Sequence, residues 1–183
     1  MTAIRVVVPT IEHRQAAVPL APRPASLAGL RLGFLDSYAS RDAAGRISMY
    51  ELMAELRPAL EQRVASVAWT HKPNIAKAAT AAAIDAFVAE IDVAVVGECA
   101  SGSSVYATVH DAVEVERRGV PTITICHAQL EQTARRHCRE LGIPELPLLV
   151  EPAATTAIVP RPQPEFVAAA LAQVVEALTE EGM

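Results

Sequence analysis

The stretch GECASGSS, residues 97–104, places one acid, one thiol and three hydroxyls within seven positions. It follows the apolar run VAVV and precedes a helical pattern, which predicts a strand, a turn and a helix. Gly102 lets the backbone approach a ligand closely, and Ser103 or Ser104 is a suitable N-cap. Free amides and the helix dipole attract a carboxylate, a phosphate or a thiolate. The stretch therefore predicts an anion-binding turn at residues 98–104.

Two side chains in this turn carry nucleophilic atoms, the hydroxyl of Ser101 and the thiol of Cys99. A thiol close to a helix N-terminus has a lowered pKa, which would make Cys99 a thiolate nucleophile. The alternative for Cys99 is a small buried apolar residue. The alternative for the whole stretch is that it only turns the chain and caps a helix.

Further candidates come from the ends of the other predicted strands. Asp36 closes the first strand and Glu98 the third, so two carboxylates would flank one cavity, as general acid–base catalysis requires. Lys72 follows the second strand and would hold a ligand carboxylate as a point charge. Either carboxylate would equally cap a helix or pair with a basic side chain. We assign Asp36, Lys72 and Glu98 to substrate binding.

Cys126 and His127 end the fourth predicted strand at the same edge of the sheet. Adjacent residues in a strand point to opposite faces, so these two side chains are not expected to bond to each other. Cys126 facing Ser101 remains a candidate catalytic residue, and His127 joins the substrate-binding set with Gly102, Ser103 and Ser104.

The elements that position these residues follow from alternating patterns along the chain. Short β-branched runs alternate with longer helical patterns from Arg31 onward, which predicts five strands in a parallel sheet covered on both faces. The expected fold is an α/β, three-layer αβα sandwich with a flavodoxin-like, doubly wound strand order of 2-1-3-4-5. In such sheets ligands bind beyond the carboxyl ends of the strands, between the first and third strands.

One domain of residues 1–183 is expected, with a core at 30–152. An N-terminal strand and a proline-rich strap fill residues 1–29, the strap being VPLAPRPAS at 18–26. An amphipathic helix at 163–182 is expected to dock on the sheet or on a second subunit, which leaves a homo-oligomer open. Pro58 lies within the first helical pattern and predicts either a kink or a helix that begins only there.

Composition excludes several classes of function. The formal charge is −5 and the arginines are scattered, which argues against a nucleic-acid partner. No apolar run approaches the roughly 18 to 20 residues of a membrane span. Arg5 precedes only three valines, too short for a secretion signal, so we expect a cytoplasmic protein. Three cysteines without a CxxC spacing indicate neither a disulfide framework nor a zinc knot.

A resemblance to a known family runs through these segments. The run GECASGSSVYATVHDAVEVERRGVPTITIC is similar to the segment of the UGSC family of (seleno)proteins in which a Sec or Cys, followed by Gly-Ser-Cys, stands after a DxvvvG strand. SLAGLRLGFLDS, WTHK with Lys72, and IPELPLLVEP resemble further segments of that family in the same order. The resemblance covers most of residues 5–160 and implies a fold and a site more than a reaction.

The chain departs from the family pattern at the motif itself. Ser101 stands where the family has its Sec or Cys, and Ser104 stands where it has the second Cys. The vicinal pair that suggests redox chemistry is therefore absent. The histidine of the family's PHP stretch is also missing after Glu151-Pro152.

We expect a small-molecule enzyme that binds an anionic or thiol-derived metabolite at residues 98–104. Ser101, Cys99 or Cys126 would act in catalysis, and the reaction would be an addition–elimination, a hydrolysis or an isomerisation, with no metal or cofactor predicted. One alternative is a non-catalytic protein that keeps the pocket to bind a ligand or to support a partner subunit. The other is a thiol redox protein using Cys99 and Cys126, which requires their Cα atoms within about 7 Å.

Overall fold

The structure, a computed structural model, describes residues 16–38, 40–152 and 162–180 and confirms the predicted α/β class. The strands are β1 (Arg31–Asp36), β2 (Ser66–His71), β3 (Val93–Cys99), β4 (Thr122–His127) and β5 (Leu148–Glu151). The helices are α1 (Glu51–Glu61), α2 (Ala81–Val88), α3 (Val105–Arg117), α4 (Glu131–Glu140) and α5 (Pro164–Leu178), with a 3₁₀ turn at Ala128–Leu130.

The five strands form one parallel sheet in the order β2-β1-β3-β4-β5, the flavodoxin-like order that the sequence predicts. Every residue of β3 and β4 is buried, whereas β2 at one edge is mostly exposed or half-buried. Strands buried on both faces are apolar on consecutive residues, which is why the run at 93–96 indicates a central strand. In β4 isoleucines alternate with threonines, and Thr122 and Thr124 are buried with them.

Two apolar layers enclose the sheet. Helices α2, α3 and α4 cover one face and pack on side chains such as Val96, Cys99 and Cys126. Helices α1 and α5 cover the other face and pack on Phe34, Val95 and Ile125. The C-terminal helix therefore docks on the sheet, which is the first of the two alternatives that its apolar face allowed.

Glycines end α3 and α4 as their positions in the sequence predict. Gly119 and Gly142 follow the two helices with φ angles of 83° and 82°, a left-handed conformation that favours glycine. Helix α1 runs through Pro58. The interpretation that this helix begins only at Pro58 is therefore wrong, because the turns before and after the proline are held by packing of Leu52, Leu56 and Leu60.

The strap at residues 18–26 crosses the end of the sheet at which the strands begin. Val18 N–H donates to the Gly142 carbonyl at 2.8 Å beyond α4, and Glu180 N–H donates to the Pro24 carbonyl at 3.0 Å after α5. The strap thereby connects the two helical layers. The predicted N-terminal strand before it lies in residues 1–15, outside the described residues.

Among the described residues, no helix has both the length and the apolar character needed to cross a bilayer.

Candidate functional site

Four buried polar side chains meet where β3, β4 and β5 end. His127 Nε2 lies 3.5 Å from Glu98 Oε2 and 3.7 Å from Glu151 Oε2. The hydroxyl of Tyr50, just before α1, donates to Glu151 Oε2 at 2.5 Å and lies 3.3 Å from His127 Nε2. These residues form the edge cluster: Tyr50, Glu98, His127 and Glu151. The carboxyl edge of the sheet is where a doubly wound fold places its ligand.

Strand register explains why these side chains share one face. His127 pairs with Glu151 across β4 and β5. Each lies two residues after a side chain that packs against α1 and α5, Ile125 in β4 and Leu149 in β5, so both point to that face of the sheet. In β3 the register shifts between Val96 and Cys99, so this strand carries one more residue than β4 opposite it. A bulge of this kind re-aims a side chain at the end of a strand. It brings Glu98 to His127 while Cys99 stays on the opposite face.

Glu98 is the member of the edge cluster whose buried carboxylate lacks hydrogen bonds. The residue is 0% exposed, and neither carboxylate oxygen has a hydrogen-bond partner among the described residues. Its contact with His127 is longer than the 2.7–3.2 Å of an N–H···O hydrogen bond, so the two groups interact through charge. A buried carboxylate in this condition is costly, and a chain retains such a group at a functional site more readily than in a structural core.

The environment shifts the pKa values of the edge cluster in one direction. Burial raises the pKa of Glu98 and that of Glu151, because the charged carboxylate loses its hydration. The Glu98 carboxylate raises the pKa of His127, since it stabilises the imidazolium. All three side chains therefore hold a proton more readily than they would in water.

Asp36 acts beside the edge cluster rather than within it. Its carboxylate accepts hydrogen bonds from the backbone amides of Tyr38 and Tyr50, each at 2.9 Å, and from Trp69 Nε1 at 3.2 Å. These bonds fix the backbone on which Tyr50 stands. The predicted assignment of Asp36 to substrate binding stays a prediction, while its contacts show a carboxylate that positions Tyr50.

The turn at residues 98–104 is organised by one hydroxyl. Ser104 Oγ accepts from the amides of Ala100 at 3.1 Å and Ser101 at 2.9 Å, and it donates to the Ser101 carbonyl at 2.9 Å. Ser104 is the N-cap residue of α3, although its side chain does not bond the first turn of the helix. Ser101, Gly102 and Ser103 are exposed, so their groups remain accessible to a ligand.

Cys99 and Cys126 lie away from the edge cluster, in the core under α3. They pair across β3 and β4, and both residues are 0% exposed. The Cys126 sulfur and burial raise the pKa of Cys99, opposite to the lowering expected from the helix N-terminus. The same contact lowers the pKa of Cys126. Their assignment to catalysis stays a prediction.

Lys72 is engaged by a carboxylate of the protein itself. Its ammonium forms a buried ion pair with Asp111 Oδ2 at 2.5 Å and donates to the Lys77 carbonyl at 2.8 Å. Asp111 also accepts from the Ala79 amide at 2.7 Å. Lys72 therefore anchors the loop after β2 to α3, and its predicted role in binding a ligand carboxylate is untested.

Comparison with known proteins agrees with the resemblance noted in the sequence. The model of the UGSC family matches residues 5–180, nearly the whole chain. The chain belongs to the UGSC family. A comparison of the chain with curated proteins finds no match. The family match spans β1 to β5, so it includes every member of the edge cluster.

Sequence reasoning found part of the edge cluster of this UGSC protein. The sequence predicts Glu98 and His127 as site residues because they end strands. It does not predict Glu151 and Tyr50. Glu151 ends β5 at the same edge, so the same rule applied to the fifth strand would have found it. Nothing in the sequence around Tyr50 signals its position.

The edge cluster allows two kinds of chemistry. An imidazole beside two carboxylates can hold and transfer a proton, as general acid–base catalysis requires. The same three donor groups lie within 4.8 Å of one another, which also suits a bound cation. Both uses place the reacting atoms of a substrate at the carboxyl edge of the sheet.

We expect the thiols of the folded UGSC protein to resist alkylation by iodoacetamide at pH 8. Cys99, Cys126 and Cys138 are all buried, and burial raises the pKa of Cys138 to about 11. Mass spectrometry should show three modified cysteines after unfolding in guanidinium and almost none before. Rapid modification of Cys99 or Cys126 in the folded protein would contradict this expectation and support their predicted role as nucleophiles.

Proposed function

We propose that this UGSC protein is an enzyme acting on a small anionic or thiol-derived metabolite, with the edge cluster as its reaction centre. The reaction is an addition–elimination, a hydrolysis or an isomerisation. The observation that carries the proposal is the Glu98 carboxylate, which is fully buried, lacks a hydrogen-bond partner among the described residues and faces His127 at 3.5 Å.

Each of these reactions moves a proton or develops charge on an oxygen or carbon of the substrate. Groups fixed in a buried site do this work better than the same groups in water, because they need no reorganisation during the reaction. Tyr50 holds Glu151, and Asp36 holds the backbone of Tyr50. The edge cluster is therefore pre-organised by neighbouring residues.

The turn at residues 98–104 supports the binding half of the proposal. Ser101 and Ser103 expose hydroxyls 3.2 Å apart, and a Cβ placed on Gly102 would meet no atom within 4 Å. A substrate carboxylate can thus approach the turn closely at the start of α3, where the helix dipole favours negative charge. The reacting end of the substrate then lies toward Glu98.

The test is proton NMR in D₂O with purified protein and a panel of small carboxylic acids, thioethers and thiol adducts, including acids that co-purify with it. We expect deuterium exchange or an addition or elimination product with at least one of them. Glu98→Gln and His127→Asn should each lower that rate by about 100-fold or more. The matched controls Glu140→Gln and His137→Asn, on α4, should retain it.

Two outcomes would overturn the proposal. The first is turnover by Glu98→Gln at the rate of the unaltered protein. The second is a set of acids that raise the melting temperature but show neither exchange nor product, which would support the non-catalytic, ligand-binding alternative.

A thiol redox function is the second candidate, and the pairing of Cys99 with Cys126 favours it. Neighbouring strands lie about 4.8 Å apart, within the Cα spacing of a disulfide. Mass spectrometry after mild oxidation would show the loss of two hydrogens from a peptide pair containing both cysteines. Persistence of both free thiols under that treatment would remove this candidate.

A further inference from the structure

We infer that Glu98, His127 and Glu151 bind a divalent transition-metal ion, with Zn²⁺ as the probe for it. The inference deepens the proposed function and rests on it for the ion's role in the reaction. The sequence predicted no metal site, because the three ligands are 24 or more positions apart and come from three different strands.

The spacing of the donor atoms matches a metal coordination shell. Zinc lies about 2.0–2.2 Å from histidine nitrogen and carboxylate oxygen, so two ligands at a tetrahedral angle are about 3.3–3.6 Å apart. His127 Nε2 is 3.5 Å from Glu98 Oε2, inside this range, and 3.7 Å from Glu151 Oε2, just beyond it; all three donor atoms lie within 4.8 Å of one another. These contacts are too long for good hydrogen bonds and suited to atoms that share an ion.

A second observation, independent of the clustering, points to a ligand. Glu98 is 0% exposed, and neither of its oxygens has a hydrogen-bond partner in residues 16–38, 40–152 and 162–180. Buried carboxylates are ordinarily paired or bound to metal. A cation between Glu98 and Glu151 satisfies these oxygens and neutralises two negative charges held in one buried site.

Tyr50 is positioned to hydrogen-bond a metal ligand, Glu151, from outside the coordination shell. Its O–H donates to the same Glu151 oxygen that faces His127, at 2.5 Å, and the tyrosine ring is itself fully buried. Hydrogen bonds of this kind orient a ligating carboxylate. Three protein ligands leave coordination positions open, which is the arrangement of catalytic rather than structural zinc sites.

The ion adds to the proposed function a Lewis acid for a substrate carboxylate or carbonyl oxygen. It also lowers the pKa of a bound water toward neutrality, which provides a base for proton abstraction or hydrolysis. A mixed set of one imidazole and two carboxylates favours zinc, manganese or iron over calcium, which takes oxygen ligands only. The substrate class that fits is therefore a small acid with an oxygen near its reacting carbon.

The test is calorimetric titration of Zn²⁺ into protein first treated with EDTA, with metal content per chain measured by mass spectrometry. We expect one Zn²⁺ per chain and a rise in melting temperature on binding. Glu98→Gln and Glu151→Gln should abolish this binding or weaken it by more than 100-fold. Tyr50→Phe, which keeps the ring, should weaken it about 10- to 100-fold.

Control variants separate this site from adventitious zinc binding. Glu140→Gln and His137→Asn remove a comparable pair on α4, 2.8 Å apart, and should leave affinity unchanged. A Cys99→Ser, Cys126→Ser double variant should also bind Zn²⁺ normally. Failure of the unaltered protein to bind Zn²⁺, or binding by Glu98→Gln with unchanged affinity, would overturn the inference.

The two proposals fail in distinguishable ways. Absence of Zn²⁺ binding, together with turnover that is lost in Glu98→Gln, would end the metal inference and leave the proposed function intact. Stoichiometric Zn²⁺ binding without turnover of any acid would end the proposed function and leave the metal site.

Discussion

Replacing Glu116 with glutamine is expected to lower the free energy of unfolding by about 3–5 kcal/mol, because it leaves the Arg23 guanidinium buried without its counter-charge. The two side chains are 2% and 0% exposed. One Glu116 oxygen accepts from Arg23 Nη2 at 2.8 Å and from the Thr122 amide at 2.7 Å. The other accepts from Arg23 Nη1 at 3.0 Å and from the Ala21 amide at 2.8 Å. A glutamine has one carbonyl oxygen for these four bonds.

Urea unfolding and the melting temperature measure this effect, and a fall of about 6 to 20 °C corresponds to it for a chain of this size. Glu114→Gln is the matched control on the same helix. Glu114 pairs with Arg118 at a partly exposed position, so its loss should change stability by about 1 kcal/mol or less. An equal, small effect of both variants would show that the strap contributes little to stability.

Replacing Lys72 with methionine is the second change with a large expected effect, again about 3–5 kcal/mol. The Lys72 and Asp111 side chains are 8% and 2% exposed, and methionine leaves the Asp111 carboxylate buried without a cation. The loop from Lys72 to Ala79 also loses its anchor on α3, because both of its contacts with Asp111 depend on that carboxylate being held in place. Amide exchange in residues 74–79 should therefore become faster.

Lys77→Met is the control for this variant, since the Lys77 side chain is exposed and contributes only its carbonyl to the ammonium of Lys72. It should leave the free energy of unfolding within about 0.5 kcal/mol. If Lys72→Met kept normal stability but lost turnover, the ion pair would be dispensable and the predicted contact of Lys72 with a substrate carboxylate would be favoured.

The fold could be predicted because its strands are marked in two ways. The run in β3 is apolar on consecutive residues, the isoleucines of β4 are β-branched residues typical of a strand, and Gly119 and Gly142 end the helices on either side of β4. These signals are local, so a single sequence contains them. The handedness and shortness of βαβ connections then limit the strand order to a few doubly wound arrangements, of which the flavodoxin-like order is one.

Only those residues of the candidate site that stand at the ends of strands could be predicted. That rule named Glu98 and His127, but it did not show that they face each other, since this depends on the bulge in β3. Tyr50 comes from the irregular segment between β1 and α1, where no periodicity predicts a direction. The ion pair of Lys72 with Asp111 joins residues 39 positions apart, and the sequence around neither residue indicates this contact.

The strap also determines the order in which the chain can complete its structure. Residues 18–26 leave the ribosome before every group that holds them, since Glu116 follows Ala21 by 95 positions and Ala177 follows Arg23 by 154. Until α3 has been synthesised, the buried guanidinium has no carboxylate to receive it. During translation the Arg23 guanidinium therefore stays in water at least until residue 116 has been synthesised, and protection of the Ala21 amide from exchange would record when the strap docks.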